Sequence, residues 1–136
     1  MATASLGRSV RLDAPFDSAM QRTRDALKAE GFGVLTEIDV KGTFKEKLGQ
    51  EFRPYVILGA CNPQLAFRAL TVEPQVGLLL PCNVTVESES KGTTLVRLVD
   101  PISLLGTDTL GPSPELEEVA AEARTRLERV ARALEA

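Results

Sequence analysis

Two cysteines are the side chains of this chain best suited to chemistry, and they occupy similar local positions. Cys61 ends an apolar run and is followed directly by Asn62-Pro63, while Cys82 precedes Asn83. Asn is a preferred N-cap and Pro fits the first helical turn, so a helix is predicted to begin at Asn62-Pro63. A thiol at a helix N-terminus lies near unpaired backbone N–H groups and the positive end of the helix dipole, which lower its pKa. The position of Cys61 therefore predicts a reactive or ligand-binding thiol.

The spacing of the two cysteines leaves other roles open. Thiols on neighbouring strands could reach disulfide distance and cycle between dithiol and disulfide. Cysteine also packs as a small hydrophobe at the end of a core strand, which would make both residues structural. Cys61 and Cys82 form no CxxC motif, their separation fits no standard zinc pattern, and the chain has no His. No metal site is therefore predicted.

Basic side chains surround a short helix that is predicted at about 42–48, before the apolar run that ends at Cys61. Lys45, Lys47 and Arg53 could form an anion pocket if they lay beside the helix N-terminus at Asn62. The glutamates between them favour a solvated charged face instead. Lys47 is the candidate counter-charge for a ligand held at the cysteines.

Three further patterns do not indicate a functional site. Asp100-Pro101 is typical of a turn cap at the end of a strand. Glu87 and Glu89 are predicted to be exposed by strand alternation, so they do not form an acid/base pair. Gly31-Phe32-Gly33 follows a predicted helix, whereas the dinucleotide-binding glycine motif follows a strand and has further glycines.

The composition excludes several classes of function. The 136 residues include no His and no Trp, which excludes a Ser-His-Asp triad, a Cys-His pair and His-ligated metals. The net charge is −3, and the few aromatic residues are not interleaved with basic ones, so no nucleic-acid partner is expected. The chain has no signal-peptide pattern, no apolar run of about 20 residues and too few cysteines for a disulfide scaffold. We expect a cytoplasmic protein with no membrane partner.

Hydrophobic periodicity predicts the elements that must position these side chains. Strands are predicted at about 6–12, 32–40, 55–61, 82–86 (with an irregular start at 78–81) and 95–99. Helices are predicted at about 16–30, 42–48, 62–73 and 114–135, and a loop at 102–111. The order is β-α-β-(α)-β-α-β-β-α within a single domain spanning 1–136. Short connections and a hairpin favour an α+β fold with a largely antiparallel sheet of about five strands and helices on one face.

Two of the predicted helices have features that bear on their stability and contacts. Acidic residues crowd the start of the last predicted helix and Arg126, Arg129 and Arg132 its end, which complements the helix dipole. Phe67 lies off the apolar stripe of the helix that follows Cys61. Either Phe67 covers a neighbouring element or it contacts a partner subunit.

The order and separation of the two cysteine motifs resemble those of the domain of unknown function 302 family. The similar segments are Glu46-Lys47-Leu48, Pro54-Tyr55-Val56-Ile57-Leu58-Gly59-Ala60-Cys61-Asn62-Pro63, Leu65-Ala66, Glu73-Pro74 and Val76-Gly77-Leu78-Leu79-Leu80-Pro81-Cys82-Asn83-Val84. Gly31-Phe32 and Asp100-Pro101 are also similar to that family. The resemblance covers a core of about 10–100.

This resemblance implies a curved antiparallel sheet with helices on one side, similar to half of a TATA-binding-protein-like domain, and commonly a dimer. It implies no established activity, cofactor or DNA binding. The positions that match the family signature are Lys47, Cys61, Asn62, Pro63, Gly77, Pro81, Cys82 and Asn83. At Phe67 relatives often carry a polar residue or His, so a His-assisted role at that position is not implied for this chain.

These observations predict a small homodimeric binding module that takes a small molecule or anion. The candidate ligand-binding residues are Cys61, Cys82, Lys47, Asn62 and Asn83. In this hypothesis the thiols contact the ligand, Lys47 supplies charge, and the two asparagines donate to the ligand or act as caps. The alternatives are a thiol redox enzyme or sensor that uses Cys61 and Cys82, and a purely structural or protein-interaction domain. The pattern names no cofactor and does not favour an enzyme.

Overall fold

The computed structural model describes residues 6–105 and 110–135. Along the chain the elements are β1 (Gly7–Leu12), α1 (Phe16–Ala29), β2 (Gly33–Asp39), α2 (Val40–Leu48), β3 (Tyr55–Cys61), α3 (Pro63–Val72), a 3-10 helix (Pro74–Leu79), β4 (Cys82–Ser90), β5 (Thr93–Val99), α4 (Pro101–Leu105) and α5 (Pro114–Glu135). The fold is α+β, as the sequence predicts.

The five strands form one open antiparallel sheet in the order β1-β5-β4-β3-β2. β4 and β5 are joined by the predicted hairpin turn, so the centre of the sheet is built from adjacent segments of chain. β3 and β4 are neighbours, and this pairing brings the two cysteine motifs to the same end of the sheet.

One face of the sheet carries the main core, because successive side chains of a strand point to opposite faces. Val56, Leu58 and Ala60 alternate on this face of β3 and are buried. They pack with α1 and the second half of α5, in a cluster that also contains Val10, Leu12, Leu27, Val84, Val86, Val96, Leu98, Leu127, Val130, Ala131 and Leu134. The two long helices therefore cover this face.

A second apolar cluster lies beyond the end of the sheet that carries the cysteines. Leu65 and Ala69 of α3 and Val76 of the 3-10 helix pack there against α4 and the first half of α5. The residues that α4 and α5 contribute are Leu105, Leu116, Val119, Ala120 and Ala123. Helix α5 thus contributes to both clusters, which explains why its apolar stripe continues for 22 residues.

Helix termini follow the predicted chemistry closely. The Asn62 Oδ1 accepts a hydrogen bond from the Leu65 N–H at 3.2 Å, as expected of an N-cap. Gly31 ends α1 with φ of 84°, a left-handed conformation that favours glycine. Ser113 caps α5 by accepting from the Leu116 N–H at 3.3 Å.

Two segments differ from the sequence prediction. Residues 102–105, predicted as part of a loop, belong to α4, because the Asp100 carboxylate caps the Ile102 N–H at 3.0 Å and Pro101 is buried. Asp100 is thus the turn cap that was predicted. Residues 78–79, predicted as an irregular start of a strand, end the 3-10 helix that begins at Pro74, where the Glu73 carboxylate accepts from the Gln75 N–H. The remainder of the predicted loop, 106–109, lies outside the described residues.

Candidate thiol site

Both cysteines line one small cavity at the junction of the two apolar clusters. Cys61 is the last residue of β3 and Cys82 the first of β4, and Cys82 pairs with Ala60 in the sheet register. The cavity has a volume of about 30 Å³. The two thiols also interact electrostatically, since Cys61 contributes to raising the pKa of Cys82. The pairing of β3 with β4 therefore brings together two motifs that lie apart in sequence.

The walls of the cavity are apolar. Phe32 and Ala60 come from the sheet side, and Leu65, Leu80 and Leu105 from the helical side. Other lining residues are Asn62, Ala66, Ala69, Pro81, Pro101, Val119 and Ala123. None of the lining residues is charged, so an ion inside the cavity would have no formal counter-charge.

Gly59 is required for the local packing beside the cavity. A Cβ atom at Gly59 would lie 2.2 Å from the Thr36 Oγ1 and 2.9 Å from the Pro81 Cγ. Pro81 lies directly before Cys82, after a cis Leu80–Pro81 peptide bond. The absence of a side chain at Gly59 lets the segment that carries Cys82 approach β3.

The electrostatics of the thiols differ from the sequence expectation. Burial raises the pKa of Cys61, and burial together with the neighbouring Cys61 raises the pKa of Cys82 to about 11. The prediction that the helix N-terminus lowers the pKa is wrong in direction. The reason is that removal from water disfavours the thiolate, and the Asn62 side chain already accepts from one N–H at that terminus. Both thiols are protonated at neutral pH.

The other candidate residues occupy different places. Asn62 lines the cavity but uses its oxygen as a helix cap. Asn83 is exposed and does not line this cavity. Lys47 lies on α2, its side chain is 70% exposed, and its ammonium group is 3.7 Å from the Glu46 carboxylate. Asp39, the last residue of β2, pairs with Val56 near the start of β3, and α2 begins directly after Asp39. Lys47 is therefore near the opposite end of β3 from Cys61.

The basic residues around α2 do not form the anion pocket that was considered. Lys45 pairs with Glu51, and Arg53 pairs with Glu87 across the sheet. The Arg53 guanidinium also lies 4.4 Å from the centre of the Phe52 ring. These contacts attach the segment before β3 to its neighbours.

Glu87 is a residue whose environment the alternation pattern missed. It is only 5% exposed, and its carboxylate accepts hydrogen bonds from both Arg53 and Arg97. Burial alone would raise the pKa of Glu87, but the two arginines outweigh burial and lower it. The prediction that Glu87 is exposed is wrong. Strand alternation correctly places Glu87 on the face of the sheet opposite the main core, but it does not show that arginine side chains cover the residue on that face.

The described residues contain no group of three or more His, Cys, Asp or Glu side chains placed to hold a metal ion. Among the helices in the described ranges, none is both long enough and apolar enough to cross a membrane.

The comparisons with known proteins agree on a family. Residues 8–134 match the family described as "Domain of unknown function DUF302". The fold is similar to a crystal structure of an uncharacterized conserved DUF302 protein from Bacillus stearothermophilus, with 36% sequence identity and a TM-score of 0.84. That match covers 96% of this chain and 98% of the other. No curated protein matches the chain. The family match over almost the whole length and the shared structure place this chain in the DUF302 family.

Proposed function

We propose that this protein is a small homodimeric binding domain, and that its ligand site is the cavity between Cys61 and Cys82. The observation that supports this proposal most strongly is that two distant cysteine motifs line one cavity.

The cavity favours a small uncharged ligand over the anion that the sequence also suggested. Its walls carry no Lys or Arg, and Lys47 is near the far end of β3. Its volume of about 30 Å³ accommodates a ligand of only a few atoms, since one water needs roughly 10–15 Å³ on the same measure. Neutral thiols donate weak hydrogen bonds and offer polarisable sulfur.

An exposed apolar patch on the opposite side of α3 supports the dimer. Phe67 is 73% exposed and Leu78 is 87% exposed. Leu70 is 40% exposed, and its Cδ2 would lie 3.7 Å from a Cβ atom at Gly77, the residue before Leu78. Phe67 therefore does not cover a neighbouring element, and the remaining alternative from the sequence is contact with a partner subunit. We assign this patch to a second copy of the chain.

Native mass spectrometry of freshly purified, unreduced protein tests both parts of the proposal. We expect a dimer mass with an added ligand mass that disappears in Cys82→Ala. A Leu78→Glu variant should be monomeric and keep the ligand mass. Ile38→Glu is the matched control, because Ile38 is also an exposed apolar residue but lies on β2.

Three results would contradict the proposal. An added mass that persists in both Cys61→Ala and Cys82→Ala would place the ligand elsewhere. Loss of the dimer in Ile38→Glu but not in Leu78→Glu would place the interface on the sheet. A deficit of about two daltons per chain that reductant reverses would favour dithiol–disulfide cycling as the function instead.

A further inference from the structure

A second cavity opens on the face of the sheet opposite α1 and α5. It has a volume of about 480 Å³ and is lined mainly by β1, β5 and β4, with Tyr55 of β3 at its side. This volume falls within the usual range for small-molecule sites. The cavity is separate from the thiol site, because the two share no lining residue.

The sheet register aligns polar side chains along the floor of this cavity. Ser9 pairs with Arg97, and Arg97 pairs with Thr85. Directly opposed residues of antiparallel strands have their side chains on the same face and within reach of each other. Asn83 lies two residues before Thr85 on β4 and also lines the cavity. Three hydrogen-bonding side chains therefore surround one guanidinium group.

Arg97 has donors that the fold does not use. Its side chain is 47% exposed, and its Nη1 donates to the Glu87 carboxylate. Within the described residues Nε and Nη2 make no hydrogen bond, so one side of the planar guanidinium is free to donate. Glu87 is shared with Arg53, and the Glu89 carboxylate also interacts electrostatically with Arg97 while it pairs with Arg11. These three arginines and two glutamates carry a net charge of +1. The local charge is suited to a monoanion.

Thr85 provides an independent observation. Its Oγ1 is buried and has no hydrogen-bond partner in the described part of the chain. Buried hydroxyl groups are nearly always paired, so an unpaired one in a cavity wall needs an explanation. Thr85 pairs with Arg97 in the sheet register, so rotation of its side chain would bring this hydroxyl beside a ligand oxygen held by Arg97.

We propose that this cavity binds a small carboxylate with an apolar body. Arg97 would hold the carboxylate in the two-bond geometry that guanidinium and carboxylate groups favour. Ser9, Asn83 and Thr85 would donate to the same oxygens, and Val99 and the Tyr55 ring would contact the apolar part. This proposal is independent of the thiol site.

The test is an NMR titration of the ¹⁵N-labelled protein with sodium benzoate, with benzamide as the uncharged probe of the same shape. We expect saturable shifts of the β1, β4 and β5 amides with benzoate and at least tenfold weaker binding of benzamide. Arg97→Gln should weaken benzoate binding about tenfold or more, as for loss of a hydrogen bond to a charged group. Arg68→Gln is the matched control, because Arg68 of α3 pairs with Glu118 of α5 and neither residue lines the cavity.

Thr85→Val keeps the result interpretable if Arg97→Gln folds poorly. It removes only the unpaired hydroxyl, so it should weaken benzoate binding severalfold without lowering the melting temperature. The proposal is overturned if benzoate causes no saturable shift in these strands, or if benzamide binds equally well. It is also overturned if Arg68→Gln weakens binding as much as Arg97→Gln.

Discussion

The buried thiol of Cys82 makes a quantitative prediction about stability at alkaline pH. The folded state raises the pKa of Cys82 from 9.0 to about 11, because burial disfavours the thiolate. The folded protein therefore holds this proton more tightly than the unfolded chain. The resulting stability is fully present below pH 9 and is lost as the pH rises towards 11.

The size of the effect follows from the shift in pKa. Proton linkage gives a loss of about 2 kcal/mol by pH 10.5, and about 3 kcal/mol at pH values well above 11. Cys82 is almost completely buried, so solvent screening reduces this contribution little. Other groups also titrate in this range, and the informative quantity is the difference between the wild type and a variant that lacks the thiol.

The assay is urea unfolding at pH 8.0 and pH 10.5 with a reductant present. Between these pH values the wild type should lose about 2 kcal/mol more free energy of unfolding than Cys82→Ala. Cys61→Ala is the matched control and should retain most of the wild-type loss, because Cys82 keeps its burial. An equal pH dependence in wild type and Cys82→Ala would refute the reasoning that Cys82 is a neutral buried thiol.

Two further predictions concern packing and charge. Gly59→Ala should lower the free energy of unfolding by about 1–3 kcal/mol in urea titrations, because its Cβ would overlap Thr36 and Pro81. Gly33→Ala meets no atom within 4 Å and should change stability much less; equal effects would contradict the packing argument. The arginines lower the pKa of Glu87, so its carboxylate stabilises the fold above pH 4.5 and this contribution is lost as the pH falls. Glu87→Gln lacks the carboxylate, so its free energy of unfolding should fall less than that of the wild type over the same acid range. Identical acid unfolding of wild type and Glu87→Gln, followed by circular dichroism, would show that this carboxylate has no such role.

Local chemistry was sufficient to predict most of the fold. Asn62 and Ser113 cap helices, and Gly31 adopts the left-handed conformation expected after α1. These features depend on a few neighbouring residues, which a sequence displays directly. The unbroken apolar run at 55–61 likewise identified β3, but it predicted a strand buried on both faces. Only the face with Val56 and Leu58 is buried, and Tyr55 and Ile57 on the other face are half-buried.

The features that sequence reasoning missed depend on distant contacts. Glu87 is covered by Arg53, which comes from a segment 34 residues away. Lys47 was predicted to supply charge to a ligand at the cysteines, but only the register of β2 with β3 reveals that it lies near the other end of the strand from Cys61. The pKa of Cys82 depends on walls supplied by α3, α4 and α5, and no local pattern predicts that burial.

The measurement that tests the central claim most directly is a mercury titration of the reduced protein with an excess of a competing monothiol. Hg²⁺ is a soft ion that displaces the proton of each thiol it binds, so two cysteine sulfurs on one cavity can hold one ion as an uncharged bis-thiolate complex, with two protons released. We predict one Hg²⁺ per chain, detected by native mass spectrometry, that resists the competitor in the wild type and is lost in both Cys61→Ala and Cys82→Ala. Two mercury ions per chain, or retention of one ion in either variant, would contradict a shared site and show that the thiols are independent.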